Sequence, residues 1–530
     1  MLTRLLSVSL ALLLCWGDAA LAQRSGGILR LYHRENPITA SILEEANAAT
    51  VVAFMPVFNN LVMFDPAVPQ NSEESIVPDL AESWSWNDDR TELSFALRRG
   101  VKWHDGIVFT SSDVECTFNL LTGRSRTSLR TNPRGAWFAN IKSVGARTDH
   151  DVTIKLHRPQ PSLLAMLASG FTPIYPCHVP LAQMRVKPVG TGPFVLDTFD
   201  KFERIRLKRN PNYWKKAGLP YLDGIEFTVV ASRSAALLSF VAGRYDMTFP
   251  GDVTMAQLRD VKRQSSRAVC EAAAVNHNTN IMLNREAAPF DNPGIRRALM
   301  FALDRKEFRD SLGDGSGAIG GHLQPPPDGR WGMTVEALAA IPGYGSDAWK
   351  NREEARRLMR AAGYGPDKPL PLRISTRAVS AYRSPAALLA NQLRGIFIEP
   401  TLDIVETAHW NTRIERRDYA LAIETTGNAI DDPDQVFYET FSCHSERNYN
   451  RYCNPEIERL FEVQSSELDV AKRRQLAWEV DARLLADGAR LPLMWKHAAT
   501  CWQPHVHGFV PQTNSSYNGF RFEDVWMDRR

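Results

Sequence analysis

Alternating apolar and polar residues predict β-strands throughout the first half of the chain. Five such segments lie at residues 27–32, 93–97, 152–156, 204–207 and 224–230. A period of two residues is typical of half-buried strands, because successive side chains point to opposite faces. Strand and helix patterns follow one another without a short repeat, which favours an α/β fold over a solenoid.

Helical periodicity is clearest in the second half. In residues 291–308, apolar side chains recur on one helical face: Ile295, Ala298, Leu299, Ala302 and Leu303. Asp291 or Asn292 can cap this helix, and Pro293 suits its first turn. Similar stripes predict helices at 353–364, 455–463 and 471–486, the first of which ends at Gly363.

The composition is that of a large globular protein. Of 530 residues, 44% are hydrophobic and 23% are charged, so disorder and coiled coils are excluded. At about 100–200 residues per domain, the chain has room for three or four domain-sized units. A net charge of +3 gives no field that would gather nucleic acid, so nucleic acid is not an expected partner.

The first 22 residues have the pattern of a cleaved signal peptide. Arg4 supplies the basic end, residues 5–16 form the apolar core, and Ala20-Leu21-Ala22 is a small-x-small cleavage site. The apolar run is shorter than the roughly 20 residues that span a bilayer. We therefore expect an exported, soluble protein that begins at Gln23.

Removal of this peptide takes away Cys15 and leaves six cysteines. An even number in an oxidising compartment permits disulfides, and Cys443 with Cys453 is the best candidate pair. The other four are scattered along the chain and are compatible with disulfides or with buried thiols: Cys116, Cys177, Cys270 and Cys501.

Catalytic and metal-binding motifs give little support to an enzyme. The sequence lacks H-E-x-x-H, G-x-S-x-G and a P-loop. Residues 315–320 match G-x-G-x-x-G, but a helix precedes them and a proline-rich segment follows, so we expect a turn rather than a dinucleotide site. His505 and His507 lack a third nearby ligand, and we predict neither a metal nor a cofactor.

Three stretches together resemble the extracellular solute-binding proteins of ATP-binding-cassette (ABC) importers, the dipeptide/oligopeptide/nickel-type family 5. They are residues 78–121, which contain LRRG and WHDG before a helix; 189–214, which begin VGTGPF; and 290–308, FDNPGIRRALMFALDRKEF. Shorter matches lie at 243–247, 355–364 and 450–462. The resemblance covers nearly the whole mature chain.

This resemblance implies an α/β fold of the bilobal, type II periplasmic-binding-protein kind, with an extra subdomain in the first lobe. The expected layout is a signal peptide (1–22), lobe I (23–60, 181–280 and 501–530), its extra subdomain (61–180) and lobe II (281–500). Such a protein is a periplasmic, monomeric receptor without catalytic residues. It closes over a small ligand and docks on an ABC permease in the inner membrane.

The resemblance also indicates ligand-binding residues. Peptide-binding members hold the ligand's α-amino group with an Asp four residues before a Pro, but the matching position here is Ala429. Thr426, Asn428 and Asp431 are the candidates in this loop, and Asp431 is equally compatible with a loop cap. Arg377 is the candidate partner for a ligand carboxylate.

From the first lobe, Tyr32, His33 and Arg34 follow the opening strand towards the expected cleft. A carboxylate partner without the usual amine partner favours an opine, an N-blocked peptide or another anionic metabolite. An oligosaccharide-binding or nickel-type receptor on the same fold, or an exported hydrolase, remains the alternative.

Overall fold

The computed structural model describes residues 23–45 and 47–528. Strands in this part of the chain are β1 (Ile28–His33), β2 (Val62–Phe64), β3 (Ile76–Pro78), β4 (Ala81–Trp86), β5 (Glu92–Leu97), β6 (Ile141–Thr148), β7 (Asp151–Leu156), β8 (Phe194–Asp200), β9 (Arg204–Arg209), β10 (Gly224–Val229), β11 (Val269–Leu283), β12 (Leu370–Arg377), β13 (Ile398–Val405), β14 (Leu421–Gly427), β15 (Leu491–Trp502), β16 (Val506–His507) and β17 (Trp526–Met527). Helices are α1 (Ala48–Phe54), α2 (Ser111–Leu121), α3 (Leu163–Ala168), α4 (Leu181–Met184), α5 (Arg233–Val241), α6 (Met255–Gln264), α7 (Pro293–Ala302), α8 (Arg305–Leu312), α9 (Val335–Ala339), α10 (Ala348–Ala361), α11 (Ser380–Arg394), α12 (Thr407–Glu415), α13 (Pro433–Phe441), α14 (Pro455–Ser466) and α15 (Val470–Ala486).

Lobe I, as we use the term, is the sheet β1-β10-β9-β8 and the elements packed on it. β1 pairs with β10 in parallel, and β9 and β8 continue the sheet antiparallel. Met247 extends it by bridging Leu31 of β1 to Trp502 of β15. A second antiparallel sheet, β4-β5-β7-β6, lies within the range 61–180 for which the sequence predicts an extra subdomain. The buried apolar residues of both sheets join one core.

Lobe II is the sheet β13-β12-β14-β11-β15 with its flanking helices. β12 is parallel to both β13 and β14, whereas β11 is antiparallel to β14 and β15. Apolar residues of α7, α8, α10 and α11 cover one face of this sheet and form a core of their own. The two lobes therefore have separate cores, and the predicted bilobal α/β fold is confirmed by the similar structures described below.

The helix predicted over residues 291–308 is two helices. α7 ends at Ala302, and α8 begins at Arg305 after the N-cap Asp304, whose side chain accepts a hydrogen bond from the amide of Glu307 at 3.0 Å. Leu303 keeps its apolar contacts and is 4% exposed. The predicted apolar stripe is correct, but one helix ends at Ala302 and Asp304 caps the start of a second helix.

Two long strands, β11 and β15, connect the lobes. They pair from Val269–Trp502 to Ile281–Leu491, with irregularities between Ala274 and Asn278 and between Thr279 and Asn280. One end of this pair lies in lobe I and the other in the sheet of lobe II. Both polypeptide crossings are thus neighbouring strands of one ladder, which is the arrangement of a two-strand hinge.

All six cysteines of the described chain form disulfides. Cys443 pairs with Cys453, as the sequence suggested. The four cysteines whose state the sequence left open pair as Cys116–Cys177 and Cys270–Cys501. In the part of the chain that the structure describes, no helix is long and apolar enough to cross a membrane. The predicted signal peptide lies outside the described residues.

Candidate ligand-binding cleft

The carboxyl ends of parallel strands meet between the lobes. In lobe I, β1 runs parallel to β10 and is followed by Arg34 and Glu35. In lobe II, β12 ends at Arg377, and the parallel strand β14 is followed by Asn428. Ligands of α/β proteins commonly bind outside the carboxyl ends of the strands. This space between the lobes is the candidate cleft.

Arg377 and Glu35 form an ion pair across the cleft. Arg377 Nη2 lies 3.4 Å from Glu35 Oε1, and Arg377 Nη1 donates to the Tyr382 hydroxyl at 3.2 Å. The guanidinium also lies 4.8 Å from the centroid of the Tyr382 ring. Burial alone would raise the pKa of Glu35, but Arg34 and Arg377 hold it below its ordinary value. Glu35 was missed by the sequence reasoning, although it is adjacent to Arg34.

Tyr32 and His33 lie beneath the cleft. The Tyr32 side chain is 2% exposed and makes an edge contact with Tyr245. His33 is fully buried, with its ring nitrogens against the backbone carbonyls of Glu35 and Ala49. Burial lowers the pKa of His33 to about 4. The structure therefore does not bring His33 to the cleft, because alternation along β1 turns its side chain into the core.

Arg34 does reach the space between the lobes. Its Nη1 lies 3.4 Å from Asp252 Oδ1, and its guanidinium lies 4.7 Å from the centroid of the Phe249 ring. Its Nε is buried without a hydrogen-bond partner in the described structure. Arg34 lines a cavity of about 50 Å³ together with His277 of β11. Of the three lobe I candidates, Arg34 is the one with polar atoms in the cleft.

Thr426 and Asn428 lie at the end of β14. The Thr426 hydroxyl accepts hydrogen bonds from Asn280 Nδ2 and Arg490 Nη1, each at 3.0 Å. The Asn428 side chain is 5% exposed and donates to Asn276 Oδ1 at 3.2 Å. Thr426 therefore faces a cation of lobe II, whereas Asn428 ties the loop to β11.

Asp431 holds the loop to its neighbours. Its Oδ2 accepts a hydrogen bond from the amide of Arg330 at 2.7 Å and another from Asn514 Nδ2 at 3.2 Å. Burial raises the pKa of Asp431 to about 7, which these two donors only partly offset. Of its two predicted roles, these contacts are those of the loop cap. Ala429, at the position of the family's amine-binding Asp, is fully buried.

Two further cations of the site were missed by the sequence reasoning. Lys496 on β15 donates to Thr425 Oγ1 at 3.0 Å, and no carboxylate of the described chain forms an ion pair with it. Burial and the neighbours Arg233 and Arg34 lower the pKa of Lys496 to about 8. Arg490 has no such partner either, and burial lowers its pKa to about 10. The sequence feature that could have identified Lys496 is the presence of a lysine within the largely apolar segment LPLMWKHAATCW.

Metal ligands are not assembled in the cleft. Among residues 23–45 and 47–528, no three His, Cys, Asp or Glu side chains are grouped so that they could hold a metal ion. His505 and His507, which the sequence singled out, bind Asp246 and Asp528 respectively. The cleft instead combines guanidinium, ammonium and hydroxyl donors, which suit an anionic or polar organic ligand.

Comparison with solved structures gives the fold. The ABC transporter-associated periplasmic binding protein DppA of Helicobacter pylori, in complex with the peptide STSA, superposes with a TM-score of 0.83 at 21% identity, covering 96% of this chain and 99% of that one. AgaA of A. tumefaciens R10, in complex with agropinic acid, gives 0.80 at 20% identity, covering 95% and 99%. These structures confirm the bilobal α/β architecture.

Sequence comparison gives the family. The probable di/tripeptide-binding protein 5 of Pseudomonas aeruginosa is 27% identical over 484 residues, which are 85% of this chain and 86% of that protein. The family model of the bacterial extracellular solute-binding proteins, family 5, matches residues 75–448. This match confirms the prediction of a binding protein over an exported hydrolase. The chain belongs to family 5 of the bacterial extracellular solute-binding proteins.

Proposed function

We propose that this protein is the periplasmic, monomeric receptor of an ABC importer and delivers a small, carboxylate-bearing ligand of peptide-like or opine-like chemistry to a permease in the inner membrane. Family membership supports the receptor role. The signal-peptide pattern at the start of the sequence supports export. Lobe I would comprise residues 23–280 and 501–530, and lobe II residues 281–500.

The observation that carries the ligand class is Arg377 at the end of β12. Its guanidinium faces lobe I and is held by Tyr382 on one side and Glu35 on the other. A ligand carboxylate can replace Glu35 on this guanidinium and form two parallel charge-assisted hydrogen bonds. A ligand bound there touches both lobes and therefore stabilises the closed form.

The loop at Ala429 favours ligands without a free α-amino group. Ala429 supplies no carboxylate, and its carbonyl already accepts hydrogen bonds from Ser515 Oγ at 2.8 Å and Asn518 Nδ2 at 2.9 Å. Peptides are named as ligands of several relatives, and agropinic acid is bound to one similar structure. We place this protein with the opine-like or N-blocked class. In an N-alkylated amino acid the carboxylate is free and the amine is substituted. Such a ligand suits a cleft that offers Arg377 to the carboxylate and has Ala429 in place of an amine-binding Asp.

The test combines ligand identification with one charge reversal. Native mass spectrometry of the freshly purified protein is expected to show a retained small anion. In calorimetry, Arg377→Glu is expected to weaken binding of that anion by at least about 100-fold, since a guanidinium–carboxylate pair is replaced by a like-charge contact.

The matched control is Arg394→Glu, on the exposed surface of α11. It should leave the affinity within about twofold. Equal affinities of Arg377→Glu and wild type would remove the carboxylate assignment. Micromolar binding of unmodified dipeptides would overturn the preference for a blocked amine.

A further inference from the structure

A second group of cations lies at the hinge end of the cleft. Arg34 and Arg233 of lobe I share one carboxylate, Asp252, at 3.4 Å and 2.8 Å. Lys496 of β15 adds a third positive charge and has no ion-pair partner in the described structure. Two of these cations thus share Asp252, and Arg34 also lies in the field of Glu35, whereas Lys496 has no carboxylate in contact within the described residues.

Lys496 lies on β15 beside the cavity that Arg34 lines. It precedes two lining residues, Ala498 and Thr500, at a point where the ladder between β11 and β15 is irregular. The charges of Arg233 and Arg34 are near enough to lower the pKa of Lys496. On β11, His277 lines the same wall. Burial lowers the pKa of His277, and the positive charges of Arg34 and Lys496 lower it further. Both charges therefore lie near this wall of the cavity.

Glu424 does not neutralise Lys496 directly. It is adjacent to Thr425 on β14, so the two side chains point to opposite faces of the sheet. Its carboxylate oxygens accept hydrogen bonds from Trp410 Nε1 and the Thr425 amide, each at 2.8 Å. A buried ammonium without a carboxylate is costly, and an anion supplied by a ligand removes that cost.

We infer that the ligand carries a second anionic group, which binds at the hinge end of the cleft between Arg34 of lobe I and Lys496 of β15. The substrate class is therefore a small dianion, with one carboxylate on Arg377 and a second carboxylate or a phosphate on Arg34 and Lys496. This inference rests on the proposed function, because it concerns the same cleft. It adds a residue of the hinge itself to ligand recognition.

The experiment uses probes that differ by one charge. They are N-acetyl-alanyl-glutamate with N-acetyl-alanyl-glutamine, and the N-mannityl derivatives of glutamate and glutamine. Binding is measured by calorimetry for wild type, Lys496→Gln, Lys496→Arg and Lys472→Gln, the last being a control on the exposed surface of α15. N-acetyl-alanyl-phosphoserine distinguishes a phosphate site from a carboxylate site, according to which probe binds more tightly.

In wild type we expect the glutamate member of at least one pair to bind about tenfold or more tightly than the glutamine member. Lys496→Gln should remove most of this preference, so that its affinities for the glutamate and glutamine members differ by less than about twofold. Lys496→Arg should preserve the preference, and Lys472→Gln should match wild type.

Two results separate the failure of the inference from the failure of the proposed function. If both members of a pair bind wild type equally and Lys496→Gln changes neither, the second anion site is wrong and the carboxylate receptor stands. If no probe binds wild type, the assignment of a peptide-like or opine-like carboxylate ligand fails, and the inference fails with it.

Discussion

Two buried groups of charged side chains differ in their balance. In lobe I, Asp79 lies 2.6 Å from Arg521 and 3.1 Å from Lys215, and Lys215 also lies 2.9 Å from Glu523. This cluster has two cations and two carboxylates, and Asp79 is fully buried. At the hinge end of the cleft, Arg34 and Arg233 share the carboxylate Asp252, and Lys496 has no carboxylate in contact in the described structure.

The difference in charge balance distinguishes a cluster that stabilises the fold from a cluster that can bind a ligand. Burying charge costs several kcal/mol per ion, and a complete set of partners returns most of that cost within the protein. The Asp79 cluster is complete, so it can hold the C-terminal segment on lobe I without any ligand. The hinge group is incomplete, and the missing negative charge is what a ligand can supply. Balance of charge, rather than burial, distinguishes the two clusters.

The largest effect is expected from breaking the balanced cluster. Asp79→Ala leaves Lys215 and Arg521 with one carboxylate instead of two, and it should lower the free energy of unfolding by about 3–5 kcal/mol. Urea unfolding followed by circular dichroism measures the change. Asp260→Ala is the control; the Asp260 side chain is 48% exposed and, in the described structure, pairs only with Arg263 on the surface of α6, so its loss should cost less than about 0.5 kcal/mol. A loss of similar size in both variants would show that the buried cluster stabilises the fold no more than a surface carboxylate does.

Removal of Lys496, the cation without a carboxylate partner in the described structure, should raise the free energy of unfolding rather than lower it. Lys496→Met is expected to stabilise the ligand-free protein by about 1–2 kcal/mol near pH 7, while it weakens binding of dianionic probes. The lysine has a pKa of about 8 when folded and an ordinary value of 10.5. Between these values the unfolded chain binds more protons, so wild-type stability rises with pH and the advantage of the variant shrinks.

Thermal unfolding at pH 7 and pH 10 measures this difference, with Lys472→Met as the control. Destabilisation of ligand-free Lys496→Met at pH 7 would show that the ammonium is satisfied within the protein. In that case the hinge group would resemble the Asp79 cluster and would not need a ligand.

The smallest effect is expected at Asp431, a lone carboxylate with two donors. Its pKa is raised to about 7, so the folded state holds its proton more tightly than the unfolded chain does. Wild-type stability should therefore fall as the pH rises from about 4 to 7, and Asp431→Asn should remove that loss. We expect the variant to match wild type at pH 4 and to be more stable than wild type at pH 8. If the melting temperatures of Asp431→Asn and wild type differ by the same amount at every pH in this range, the pKa of Asp431 is not raised in the folded protein.

The sequence predicted the parts of the fold that depend on local patterns. Alternation located β5, β7 and β10, and the motifs at 78–121 and 290–308 led to the correct family. The Cys443–Cys453 pair is only ten residues apart in sequence, and the structure contains it. These features are readable because the residues that define them are close together in the chain.

The rest depends on contacts between distant residues. Lys496 meets Thr425 and the field of Arg34 only after both lobes have assembled, so its unpaired charge has no local signature. Chain order places His33 next to Tyr32 and Arg34 at the end of β1, but its side chain is buried in the core because the sheet determines which side chains face the cleft. The break between α7 and α8 has no clear signal in the sequence, because the apolar stripe runs up to Leu303 without interruption.

The Cys270–Cys501 disulfide gives the chain a particular topology. These residues are direct partners on the two crossing strands and are separated by 231 positions in sequence. Lobe II is therefore an inserted segment whose two ends are covalently joined at its entrance. A protease that cuts once anywhere within this ring leaves both fragments attached, and their separation requires a reducing agent. The receptor can thus survive a nick in lobe II as a single covalent molecule.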